Sequence, residues 1–201
     1  PTGNGMTGRD VALKMLHDNG IYDVQVTHTP GQLTDHYNPT NKTVNLSEGV
    51  YESNSIMAAA VAAHECGHAV QHARMYAPLK MRSALVPVVN FASSIMTWVL
   101  LGGILLVNTF PQLLLAGIIL FAMTTLFSFI TLPVEINASK RALVWLSSSG
   151  ITNSYNHAQA EDALRSAAYT YVVAALSSLA TLVYYCLLYT SPSPRDMRRS
   201  R

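Results

Sequence analysis

From Ser83 to Val134 the chain runs for 52 residues without one Asp, Glu, Lys or Arg. Soluble domains carry about 25% charged residues; this chain carries 12%, with half its residues hydrophobic, and the deficit is concentrated in that run. A bilayer core takes about 20 helical residues, so the run suits two membrane passes and a turn. Asn108, Thr109 and Pro111 punctuate it, which predicts spans near 84–107 and 112–132. A second uncharged stretch, 166–194, predicts a third span near 168–188.

Basic residues set the expected orientation. Arg74, Lys80 and Arg82 precede the first span, Lys140 and Arg141 follow the second, Arg165 precedes the third, and the connector between the first two has none. The positive-inside rule puts residues 1–82 and 135–165 together on the cytoplasmic side. The expected organisation is a cytoplasmic head over 1–82, a transmembrane hairpin over 83–134, a cytoplasmic helix over 135–165, a third transmembrane helix over 166–189 and a tail over 190–201. That tail changes composition abruptly from Ser191 and is read as non-native. Its four arginines and one aspartate supply all of the net charge of +2, so the charge gives no reason to expect a nucleic-acid partner. Membrane lipid is the expected surrounding.

The head carries the chemistry. His64-Glu65-Cys66-Gly67-His68 places two imidazoles at i and i+4, on one face of a helix, where both can reach one metal ion. Glu65, about 100° round from His64, is set to touch a water on that metal. This is the H-E-x-x-H arrangement of zinc peptidases, with the glutamate as general base. The segment 56–70 reads as helix: it is rich in alanine, lacks proline, and follows the N-cap candidates Ser53, Asn54 and Ser55. Cys66, about 200° from His64, reads as a small packed residue, and Cys66 with Cys186 suggests no disulfide framework.

Upstream, Thr7 and Asp10 form a capping box for a helix over 8–18 stopped at Gly20. Val24, Val26 and His28 alternate as a strand. Segments 33–37 and 43–46 read as a hairpin about Asn38-Pro39-Thr40-Asn41. If Val44 to Leu46 were a sheet edge, it could hold a peptide by strand addition. The fold class expected is mainly α: a small α+β zincin-like head with the H-E-x-x-H helix, plus transmembrane helices.

Catalytic zinc takes three protein ligands and an open position. His72 lies a turn beyond His68 and reads as a supporting or surface group. Glu135 is the first acid after the second span, and is expected to open a helix at Pro133-Val134 whose N-terminal dipole favours an anion. An acid so near membrane depth is costly unless paired or metal-bound, although Lys140 or Arg141 could pair with it. His36, Asp35, Glu48, Glu52 and His157 are alternatives.

Several runs strongly resemble the YugP-like membrane zinc metallopeptidases. They are Leu33-Thr34-Asp35-His36-Tyr37, Leu46-Ser47-Glu48-Gly49-Val50-Tyr51, Ala62 through Ala73, Tyr76-Ala77-Pro78-Leu79 and Leu132 through Ser139. The likeness covers roughly residues 5–185. It implies a further N-terminal membrane helix; with Pro1 in place of an initiator methionine, the chain is read as a fragment. Glu135-Ile136-Asn137-Ala138-Ser139 also looks like the E-x-x-A-D segment of the HtpX type of membrane gluzincin. That resemblance implies Glu135 as the third zinc ligand, with Ser139 standing where the pattern has aspartate. The expected function is a membrane-embedded endopeptidase using Zn²⁺ on peptide or membrane-protein substrates. His64, His68 and Glu135 would hold the metal and Glu65 would act as base, with Tyr155 or His157 as guesses for an oxyanion donor. The rival readings are a non-catalytic zinc-binding membrane scaffold or regulator, and a channel or transporter subunit. The second would place ionisable residues at mid-membrane, and none lies between Arg82 and Glu135.

Overall fold

The structure is a computed structural model that describes residues 2 and 5–190; the tail read as non-native, beyond Thr190, lies outside the described residues. The elements run α1 (Gly8–Asp18), β1 (Gln25–Thr29), β2 (His36–Asn38), β3 (Thr43–Ser47), α2 (Glu48–Tyr51), α3 (Ile56–Ala73), α4 (Ala77–Leu105), α5 (Pro111–Ser148) and α6 (His157–Thr190). They form two compact units. One comprises the chain up to Lys80 together with Leu132–Thr170, and the other Met81–Thr131 together with the chain from Tyr171 onward.

In the first unit, local signals set the helix ends. Thr7 Oγ1 accepts from the Asp10 amide and Asp10 Oδ2 from the Thr7 amide, closing the capping box of α1. At the other end the Gly20 amide donates to the His17 carbonyl and that of Ile21 to the Leu16 carbonyl, with Gly20 at φ 72°. That is a Schellman-type stop, which a left-handed glycine serves at no steric cost. Ser55 caps α3 by accepting from the Ala58 amide at 3.0 Å.

The sheet order is β1-β3-β2, with β1 parallel and β2 antiparallel to β3. The expected hairpin is present, with His36 opposite Asn45 and Asn38 opposite Thr43, and the Asn38 side-chain oxygen accepting from the Thr40 amide. β3 is therefore the central strand. Val44 to Leu46, which sequence leaves open as an edge, is not one: β1 occupies the side opposite β2, and Val44 and Leu46 are fully buried. The core joins Val11, Met15 and Leu16 of α1, those two β3 residues, and the alanine face of α3 to Ala142 and Leu146 of α5. Alanines at 58, 59, 60, 62 and 63 are all buried, so α3 packs closely with its neighbours.

One expected boundary changes. The helix containing Glu135 does not begin there: α5 runs unbroken from Pro111 to Ser148, through Pro133. Proline removes one i→i−4 bond and crowds the preceding turn, but a long apolar helix tolerates it. Glu135 consequently sits mid-helix, and the dipole argument for its charge falls away. The last helix, α6, begins at His157 and continues into the following apolar stretch.

The second unit is helical. Leu100, Leu114 and Ile118 form its core, with Phe121 edge-on to Tyr185 at 5.7 Å. Gly103 lets the α5 backbone approach, since a Cβ there would lie 2.6 Å from Leu114 Cα. Thr125 and Ser178 hydroxyls join α5 to α6 at 2.7 Å. α4, α5 and α6 are each long and apolar enough to cross a membrane.

Candidate metal centre

The centre is assembled where α3 meets the part of α5 after Leu132, and Gly67 decides how closely. A Cβ on Gly67 would stand 2.7 Å from the Ala138 carbonyl oxygen and 3.1 Å from its Cα, so only glycine permits this approach. One residue on, His68 faces α5; three residues earlier, so does His64.

Glu135 Oε2 lies 2.8 Å from His64 Nε2 and 3.3 Å from His68 Nε2. The two rings stand nearly perpendicular, at 87°, with centroids 4.9 Å apart. One donor atom from each residue falls within 4.8 Å of the others, and among the described residues no other group of three or more His, Cys, Asp and Glu converges so. His68 and Glu135 are buried and His64 is partly exposed. Two imidazole nitrogens and a carboxylate oxygen are a catalytic-zinc donor set. Ligand atoms at about 2.0–2.1 Å from a tetrahedral ion lie about 3.3 Å apart, which the His68–Glu135 pair matches. The His64–Glu135 pair would open by about half an ångström from hydrogen-bond distance to fit the same tetrahedron. The residues fit zinc.

Each histidine is held by its other ring nitrogen. His64 Nδ1 is 2.9 Å from Ser139 Oγ. His68 Nδ1 is 2.9 Å from Gln71 Oε1, and Gln71 is fully buried. Gln71 Nε2 donates to the Val134 carbonyl at 2.8 Å and to Asn137 Oδ1 at 3.0 Å. Arg141 Nε donates to that same Asn137 oxygen at 2.7 Å, and its guanidinium lies 5.8 Å from the Tyr76 ring centroid.

Glu65 follows His64 on α3 and is half-buried. Cys66 packs away from the donors, its Sγ–H reaching the Ala12 carbonyl at 3.5 Å. Burial, with Glu65's charge adding, pushes its thiol well above the ordinary range, so it stays a neutral thiol.

The alternative ligands are engaged elsewhere. Asp35 accepts from the Ser47 amide and hydroxyl, tying the β2 entry to the end of β3. His36 Nδ1 meets the Thr34 carbonyl and His157 Nδ1 the Thr152 hydroxyl. His72 Nδ1 lies 2.7 Å from the Tyr37 hydroxyl. Burial, with Asp23's charge adding, pushes the Tyr37 phenol up to about 12, so it remains protonated beside His72. Glu48 and Glu52 fall outside the converging group, and Tyr155 is 90% exposed. Gln71 and Asn137 carry no motif that marks them. The available signal was spacing alone: Gln71 is i+3 from His68, and Arg141 is i+4 from Asn137.

A family model described as "putative neutral zinc metallopeptidase" matches residues 1–190, and the chain belongs to that family. Zinc is its cofactor, and His64, His68 and Glu135 are positioned to bind a metal ion. Among curated proteins, it is similar to the Bacillus subtilis protein named "Putative membrane protease YugP". The two are 45% identical over 186 residues, which are 92% of this chain and 82% of the relative. No solved structure matches the chain.

Proposed function

We propose that this protein is a membrane-embedded zinc endopeptidase in which His64, His68 and Glu135 hold the metal and Glu65 is the general base. The observation that carries it is the convergence of both Nε2 atoms of an H-E-x-x-H helix on one carboxylate oxygen 71 residues beyond His64. A buried carboxylate facing two imidazoles is costly unless a proton or cation joins them.

Zinc, when bound, lowers the pKa of a coordinated water to about 7 and polarises a carbonyl oxygen. The remaining work belongs to the chain. Glu65 takes a proton from the attacking water as the new C–O bond forms, then delivers it to the amine nitrogen as the C–N bond breaks. Ser139 and Gln71 keep the His64 and His68 rings turned toward Glu135. The outer edge of β2, beside α3 through the Tyr37–His72 contact, offers an extended peptide the strand pairing that central β3 does not.

The domain reading extends this proposal: a zincin-like head over 1–82, the hairpin 83–134, the Glu135 segment over 135–165 and a third span over 166–189. The flanking basic residues favour a cytoplasmic site. Peptides or segments of membrane proteins are the substrate class.

The test uses the full chain in detergent or bilayers, with bound zinc and peptide hydrolysis both measured. Glu65→Gln is expected to keep zinc and lose at least a hundredfold in hydrolysis, within the roughly 10²–10⁴ range of a lost acid–base group. His64→Ala and Glu135→Ala are expected to lose zinc. Full zinc occupancy in Glu135→Ala would sink the third-ligand assignment. A scaffold is favoured instead if the zinc-loaded wild type hydrolyses no peptide or membrane-protein substrate.

A further inference from the structure

The hydrogen-bond chain behind His68 has a direction fixed at both of its anchors. A guanidinium only donates and a main-chain carbonyl only accepts. Arg141 Nε at 2.7 Å therefore requires the Asn137 oxygen, not its amino group, on that side. That oxygen, and the Val134 carbonyl at 2.8 Å, both require the amino group of Gln71. The remaining Gln71 atom, Oε1, is then the one that faces His68 Nδ1 at 2.9 Å. An amide oxygen cannot donate, so Nδ1 carries the proton. In the neutral ring this leaves the lone pair on Nε2, the atom 3.3 Å from Glu135 Oε2.

We propose that Gln71, itself held by Val134, Asn137 and Arg141, is the positioning residue that locks His68 in its Nδ1–H tautomer and so presents a bare Nε2 to the metal. The inference rests on His68 being a ligand. Free histidine in water favours the opposite, Nε2–H form, which must shed or relocate a proton before binding. His64 is held differently: the Ser139 hydroxyl at 2.9 Å can donate or accept, so it does not choose a tautomer. Gln71 also joins the two ligand-bearing helices, because its amide spans from His68 on α3 to the turn of α5 that contains Glu135.

The test compares Gln71→Met with Gln71→Glu in the full chain. Methionine keeps the volume and removes the acceptor, whereas glutamate keeps an acceptor toward Nδ1. Zinc affinity is read by chelator competition. The His68 ring is read by ¹⁵N NMR of the metal-free protein at alkaline pH. We expect Gln71→Met to lose about 10–100-fold in zinc affinity, as for other groups that orient a ligand, and to shift His68 toward Nε2–H. Gln71→Glu should keep Nδ1–H and more of the affinity. A residue that merely filled the interface would give the opposite order, because a buried charge is worse than a buried thioether. The proposal is overturned if Gln71→Met binds zinc like the wild type, if its His68 tautomer is unchanged, or if Gln71→Glu binds more weakly than Gln71→Met. Should neither fold, Asn137→Lys replaces the acceptor with a donor at a partly exposed position, and it should weaken zinc binding where Asn137→Asp does not. Equal affinities in that pair also overturn the proposal. A wild type that binds no zinc defeats the assignment of the centre, and the tautomer measurement still decides the role of Gln71.

Discussion

Replacing Gly67 with alanine separates metal geometry from stability. The added Cβ would stand 2.7 Å from the Ala138 carbonyl oxygen, whereas an ordinary carbon–oxygen contact is about 3.3 Å or more. The helices must therefore part by about 0.6 Å along that line. Overpacking of this kind costs about 1–3 kcal/mol, and alanine returns about 1 kcal/mol of helix propensity. The net loss is about 0–2 kcal/mol, equivalent to a fall in Tm of no more than about 8 °C for a chain of this size. Zinc is less forgiving, because donor positions are held to about 0.2 Å. His64 and His68 flank Gly67 while Glu135 is on the opposing helix, so the separation acts directly on the donor set. We expect zinc affinity to fall at least about tenfold, or 1.4 kcal/mol, out of proportion to stability. Chelator competition and a thermal melt of the metal-free protein measure the two effects. Because the obstacle is main chain, adding Ala138→Gly should not restore binding. Wild-type zinc affinity in Gly67→Ala would refute the reasoning.

Two further outcomes follow from groups near the centre. Cys66 should resist maleimide in the folded protein and react after denaturation, since burial keeps its thiol protonated. Peptide mapping that finds it rapidly modified in the native state contradicts the packing. Asp18 accepts from Trp145 Nε1 at 2.9 Å, and this bond, ahead of the one from Lys14, holds its carboxyl below the usual range. A depressed carboxyl contributes stability above its unfolded pKa of about 3.9 and loses it as pH falls through the folded value. Asp18→Asn should accordingly flatten the acid side of a Tm profile recorded downward from about pH 5, because a depressed carboxyl gives up its contribution only as pH falls through its folded value. Parallel profiles for the two proteins would exclude this contribution.

Much of this molecule is legible in the chain because its signals are local. The Thr7–Asp10 box, Gly20 and Ser55 fix helix ends within four residues of themselves. The Asn38–Asn41 turn gives the hairpin. The i, i+4 histidines and the long uncharged run need no tertiary information. Glu135 stands out because no acid precedes it back to Glu65. What escaped depends on partners distant in sequence. The parallel pairing of β1 with β3 across an intervening strand leaves no mark in alternation, so the chain alone does not say which strand is the edge. Pro133 reads as a break, yet flanking helix carries α5 through it. Gln71 and Asn137 are ordinary polar residues until α3 and α5 meet, and Gly67 reveals its purpose only when Ala138 is opposite.

The distance between His64 and Glu135 also has a meaning in time. A ribosome adding about 5–20 residues per second needs about 4–14 s to make the 71 residues that separate them. During that interval the emerging chain has both histidines and Glu65 but lacks the third proposed ligand. When Glu135 does appear, it follows the whole apolar stretch through α4 and the first part of α5. On the proposed ligand set, the centre stays open while α4 and the first part of α5 are made, and its donors are all present before α6, the last apolar helix, is synthesised.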